Sequence, residues 1–144
     1  MAMEIRPIVS ANPEVVAAVN GLLPALSPDA SPVTEAVLAA MLAHPAITLF
    51  GATEDGRIVG CLTLVTYPAP TGPRAWIEDV VVAPEARGRG AGTALVAAAI
   101  EAARRSGARA LDLTCRPDRT EAVRLYRTLG FANPSSEVFR LPLA

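Results

Sequence analysis

Lysine is absent from this chain: all 13 of its Lys and Arg residues are arginines. That absence excludes a phosphate loop ending in Gly-Lys-Ser or Gly-Lys-Thr, whose lysine reaches the terminal phosphates. Histidine is nearly absent too. His44 alone, with the widely separated Cys61 and Cys115, makes no His/Cys metal cluster, so no metal is expected. A Ser-His-Asp triad would have to use His44, and no Gly-x-Ser-x-Gly elbow accompanies it. The two cysteines lie in strand-like runs and read as buried free thiols rather than a disulfide. Excess positive charge is also missing. A net charge of −1 gives no bulk support to nucleic-acid binding. No apolar run reaches the roughly 20 residues that span a bilayer. Met1–Arg6 lacks the basic-then-apolar pattern of a secretory signal. The expectation is a cytoplasmic protein that binds neither membrane nor nucleic acid.

What the chain has is a core. Hydrophobic residues make up 51% of 144, enough for one domain over 1–144. Met3–Val9 reads as a strand. Asn12 then caps a helix that has Pro13 in its first turn, with Val15, Val16, Val19, Leu22 and Leu23 at helical spacing. Pro24–Pro32 reads as a loop and Val33–Ala43 as a second helix, ended by His44-Pro45. Strands follow at Ile47–Thr53 and Arg57–Tyr67, joined by Asp55-Gly56, a favoured hairpin pair. Ala75–Val82 is a further strand, Gly90–Ser106 a helix, Ala108–Cys115 a strand, and Asp118–Leu129 a helix ended by Gly130. Phe131 opens a last strand region, with Val138–Leu143 closing the chain. The order β-α-α-β-β-β-α-β-α-β describes a mixed α/β sheet, with hairpins first and a β-α-β unit later.

Between the strand Val80-Val81-Val82 and the third helix lies Arg87-Gly88-Arg89-Gly90-Ala91-Gly92-Thr93. Its three glycines leave N–H groups unshielded at a helix N-terminus, where the dipole favours an anion. Arg87 and Arg89 add charge, which points to a small phosphate-bearing ligand. A dinucleotide fingerprint starting at Gly88 and Gly90 requires glycine at 93, where Thr stands. A plain helix cap with solvated arginines is the bland alternative.

Arg87-x-x-Gly90-x-Gly92, preceded by Val80-x-Val82 and a proline, resembles the acetyl-coenzyme-A motif of the GNAT superfamily of N-acetyltransferases. Ala122-x-x-x-Tyr126-x-x-x-Gly130-Phe131 resembles that family's later segment, so the likeness runs from Trp76 to Phe131. The resemblance implies a GNAT fold of the stand-alone bacterial type: a mostly antiparallel N-terminal half and a splayed central strand pair. It also implies acetyl-CoA as co-substrate. The pantetheine arm would lie on the backbone of Val80, Val81 and Val82. The pyrophosphate would lie on Arg87, Gly88, Arg89, Gly90, Ala91, Gly92 and Thr93. The arginine side chains either reach a phosphate or point to water.

The implied chemistry is direct acetyl transfer to a primary amine of a small molecule or peptide. Tyr126 matches the family's tyrosine near the sulfur and would be the general acid. Glu78 is the favoured base, with Asp79 or a water chain as alternatives. Alternation along the strand puts Glu78 on the face of Val80 and Val82, with Asp79 opposite. Arg119 departs from the family pattern, which has asparagine there to bond the pantetheine. It could instead meet the ribose phosphate, or stand on a solvated face with Arg124 and Arg127. The acceptor would lie among the first two helices, the Pro24–Pro32 loop, the Tyr67–Pro73 turn and the last strand. No residue pattern there identifies the amine, and a homodimer is compatible with the reading. A non-catalytic coenzyme-A sensor or partner module is the second hypothesis, and it would have no need of Tyr126 or Glu78.

Overall fold

The computed structural model describes residues 3–144. The chain gathers into two compact units, Met1–Leu113 and Thr114–Ala144. The first holds β1 (Met3–Pro7), α1 (Pro13–Leu26), α2 (Glu35–Ala43), β2 (Ile47–Glu54), β3 (Arg57–Tyr67), β4 (Arg74–Val82), α3 (Ala91–Arg105) and β5 (Leu111–Asp112). The second holds α4 (Thr120–Thr128). The sheet runs β1-β2-β3-β4-β5. Its first three pairings are antiparallel and the last is parallel. A mixed α/β sheet with a mostly antiparallel first half is therefore the observed architecture.

Local chemistry accounts for the element ends. Asn12 accepts a hydrogen bond from the Val15 N–H at 2.9 Å, and Pro13 occupies the first turn of α1. Asp55 and Gly56 have φ of 52° and 75°, the two positive values of a type I′ hairpin turn. α1 runs through Pro24 to Leu26, three residues past the expected end at Leu23. A proline in the last turn forfeits only the bond to the Asn20 carbonyl, and the Ser27 N–H still closes on the Leu23 carbonyl at 3.0 Å. α2 starts two residues later than expected because Thr34 is its cap, accepting from the Val37 N–H at 3.1 Å. Asn20 went unnoticed in the sequence. Its side chain takes the Val33 N–H at 2.8 Å and gives to the Val33 carbonyl at 3.0 Å, tying the end of the α1–α2 loop to α1.

The sheet is covered on both faces. Val19, Leu22 and Leu38 from α1 and α2 pack with Leu49, Cys61 and Val81. α3 lies against β2, β3 and β4 and buries Leu95, Val96 and Ala99 completely. A Cβ on Gly60 would stand 3.3 Å from Leu95 and 2.9 Å from the Val81 carbonyl, so only glycine lets β3 pass this close. Leu95→Ala at such a site costs about 2–5 kcal/mol.

The C-terminal expectation is corrected. The strand over 108–115 shrinks to Leu111–Asp112, and residues 131–144 form no strand. Pro134 precedes the run and Pro142 lies inside it, Val138–Leu143 does not alternate cleanly, and Val138, Phe139, Leu141 and Leu143 stand exposed.

Candidate active site

β4 is irregular where the sequence placed the reactive groups. Thr63 of β3 pairs with Glu78 and Cys61 with Val81, so Asp79 and Val80 together face Leu62. This is a β-bulge, one extra residue in β4, and Asp79 takes a left-handed φ of 52° to make it. Aspartate is one of the few side chains that adopts this region readily. The bulge overturns the facing expected for Glu78. Simple alternation groups Glu78 with Val80 and Val82; the register instead puts Glu78 on the face of Thr63, Cys61 and Val81, the face that α1 and α2 cover. Val82 pairs with Gly60 and so belongs to the other face.

Glu78 and Asp79 are exposed. Cys61, buried on the neighbouring strand, has its thiol pushed up to about 11, first by burial and second by the Asp79 charge. β5 pairs with β4 only at Ala75 and Trp76. From Ile77 to Val82 the outer edge of β4 has no strand partner among the described residues. An open edge of this kind accepts an extended amide-bearing chain as an added strand. Val80, Val81 and Val82 offer that edge.

β4 feeds a single 3₁₀ turn, Pro84–Ala86, and then the glycine-arginine loop. Gly88 and Gly90 both have positive φ, 79° and 86°. Gly90 caps α3 without any side-chain hydrogen bond, and the first turn, with Ala91, Gly92 and Thr93, holds no acidic residue. The other three helices each have a glutamate there. α3 thus presents the positive end of its dipole with neither a side-chain cap nor a carboxylate in the way. Arg87 donates from Nε to the Val82 carbonyl at 3.3 Å. Arg89 is held twice: Nη2 lies 2.9 Å from Glu54 Oε1 and donates to the Glu85 carbonyl at 3.2 Å. Nothing in the sequence flagged Glu54 as its partner.

In the second unit, Arg119 precedes α4 and supplies no capping side chain. Tyr126 sits one turn before the helix end, half-buried. The Phe131 N–H bonds the Tyr126 carbonyl at 3.0 Å and the Gly130 N–H bonds the Arg127 carbonyl at 3.1 Å. Gly130 has φ of 100°. This is a Schellman turn, and its usual apolar contact is the edge-to-face pair of Tyr126 and Phe131, 5.7 Å apart at 67°. The Tyr-x-x-x-Gly-Phe spacing is therefore a helix-ending device that locks one face of the tyrosine ring. Burial raises the Tyr126 phenol above its ordinary 10.0; Cys115 adds to this and Arg119 opposes it. The phenol is protonated at neutral pH. Arg127 reaches Asn133 at 3.4 Å. His44 accepts the Ala46 N–H on Nδ1 at 3.1 Å, an ordinary cap at the end of α2.

No helix among the described residues is long and apolar enough to cross a membrane. Residues 16–131 match the model of the Acetyltransferase (GNAT) family. A mycothiol acetyltransferase of Pseudarthrobacter chlorophenolicus is 34% identical over 148 aligned residues, taking in 98% of this chain and 46% of that protein. The chain thus spans less than half the length of this curated relative. Among solved structures, a putative acetyltransferase from Agrobacterium tumefaciens superposes with a TM-score of 0.84 at 32% identity, over 96% of this chain and 99% of its own. An acetyltransferase of Trypanosoma brucei gives 0.80 at 30% identity, over 99% and 100%.

Proposed function

Because this chain belongs to the GNAT family of acetyltransferases, a family that uses acetyl-CoA, we propose that it transfers an acetyl group from acetyl-CoA directly to a primary amine. The observation that carries this reading is the continuous run from an open β4 edge into an uncapped, carboxylate-free helix N-terminus. A pantetheine amide chain suits the first and a pyrophosphate the second. Val80–Val82 take the arm, and the Gly88–Thr93 N–H groups, with Arg87, take the phosphates. Arg119 is a contact for the cofactor's ribose phosphate. One N-acetyltransferase domain over 1–144 acting in the cytoplasm belongs to the same reading.

The amine gives up its proton to Glu78, directly or through water. Its nitrogen attacks the thioester carbonyl carbon, the C–S bond breaks, and the thiolate takes the Tyr126 proton. Two features support these roles. Glu78 stands exposed beside the bulge, open to an incoming amine or water. The Tyr126 phenol carries a proton to give at neutral pH, and its upward shift on burial makes that transfer more uphill rather than less. The acceptor is proposed as a primary amine of a small molecule or peptide, and the name of the Pseudarthrobacter relative, a mycothiol acetyltransferase, puts mycothiol-related amines in the first set to assay.

The test is free-thiol release from acetyl-CoA across an amine panel. Amine-dependent release is expected, with kcat lower by about 10²-fold in Tyr126→Phe and in Glu78→Gln, the usual scale for losing one acid or base. Cofactor binding with no release for any amine would leave the sensor reading in its place.

A further inference from the structure

We propose that Glu54 is a positioning residue for the cofactor loop, acting through Arg89. The inference rests on the reading of that loop as the acetyl-CoA pyrophosphate cradle. The loop has a mechanical problem. Gly88 and Gly90 adopt left-handed conformations that expose N–H groups, yet glycine has no side chain with which to hold a shape and loses the most freedom when fixed. Arg89, between them, is the one residue of Gly88–Gly90 whose side chain is tied to a distant part of the chain. A single nitrogen, Nη2, spans two anchors: the Glu54 carboxylate at 2.9 Å and the Glu85 carbonyl at 3.2 Å. One anchor lies within the turn that leads into the loop. The other is the last residue of β2, whose pairing with Arg57 is fixed by the Asp55-Gly56 turn.

The Glu54 side chain is only 11% exposed and that of Arg89 44%. A charge-assisted bond shielded on one side holds its geometry better than an open surface pair. The bond also divides the labour of the two arginines. Arg89 has its charge matched by Glu54 and braces the loop. Arg87, whose only side-chain hydrogen bond among the described residues is to the Val82 carbonyl, is the guanidinium left to face an incoming phosphate. A competing arrangement is conceivable on electrostatic grounds, in which Glu54 draws Arg89 away from the phosphate. The two give opposite signs when Glu54 is removed.

The experiment is calorimetric titration of coenzyme A into the wild type, Glu54→Gln, Glu54→Ala, Arg89→Ala and the double variant Glu54→Ala/Arg89→Ala, with the unfolding midpoint of each ligand-free protein measured alongside. Bracing predicts binding about five-fold weaker in each single variant, the size expected when a loop must be ordered on binding. It predicts ligand-free midpoints close to the wild type. In the Arg89→Ala background, removing Glu54 changes affinity no further, because the two act as one unit. Unchanged or tighter binding by Glu54→Ala overturns the inference and leaves the coenzyme-A reading standing. A Glu54 effect that persists in full without Arg89 overturns it as well. Failure of the wild type to bind coenzyme A overturns both.

Discussion

Cys61 and Asp79 show how one residue's conformation sets another's chemistry. The bulge turns Asp79 into a left-handed position over β3, and its charge adds to the burial that lifts the Cys61 thiol from 9.0 to about 11. The folded state thus holds the thiol's proton more tightly than the unfolded chain does. Stability from this source is complete below about pH 9 and drains away as pH rises towards 11, worth about 3 kcal/mol in all. The chain is well suited to the measurement because it has no lysine to titrate in the same window, and arginine stays charged throughout. Urea unfolding at pH 8 and pH 11 is expected to show a loss in the wild type that Cys61→Ala lacks in large part. An equal loss in both proteins would remove Cys61 as the cause. Tyr126, raised above 10.0, adds a smaller decline of the same sign at the upper end.

At the scale of elements, the Schellman turn after α4 ties a structural device to the proposed acid. Alanine at Gly130 would have to adopt φ of 100°, at a cost of about 1–2 kcal/mol. The expected outcome for Gly130→Ala is a frayed last turn, loss of the Phe131 contact, and a Tyr126 phenol that falls back towards 10. Ultraviolet titration in a Tyr67→Phe background, where one phenol remains, reads this directly; an unmoved midpoint would separate the turn from the ring's environment. Devices of this local kind were legible in the sequence. Asn12-Pro13, Asp55-Gly56 and Gly130 each act within a few residues of themselves, so spacing alone exposes them. The β4 bulge was not legible. A two-residue period cannot reveal one inserted residue, and Glu78 was assigned to the wrong face for that reason. The Glu54–Arg89 bond was hidden because 35 positions separate its partners and only the folded sheet joins them. The expected closing strand failed because its composition suits a strand, but its prolines and uneven alternation do not.

For the molecule as a whole, the open edge and the uncapped helix predict where folding and binding are coupled. A ligand that supplies the missing strand and the missing cap stabilises the native state by mass action, about 2.7 kcal/mol at 100 times its Kd. A clear rise in unfolding midpoint is therefore expected with acetyl-CoA and none with NAD, whose fingerprint the loop fails at Thr93. Stabilisation by NAD alone would contradict the family's chemistry for this chain. The bulge has one more consequence. Before it, the side chains of β4 keep step with one face of the sheet; after it they keep step with the other. The strand carries two phases of one alternation, joined at Asp79. A strand that kept Asp79 but lost the bulge would force a choice, either returning Glu78 to the face of Val82 or pulling Val81 out of the core, so with every residue present the carboxylate and the core cannot both keep their places on an even strand.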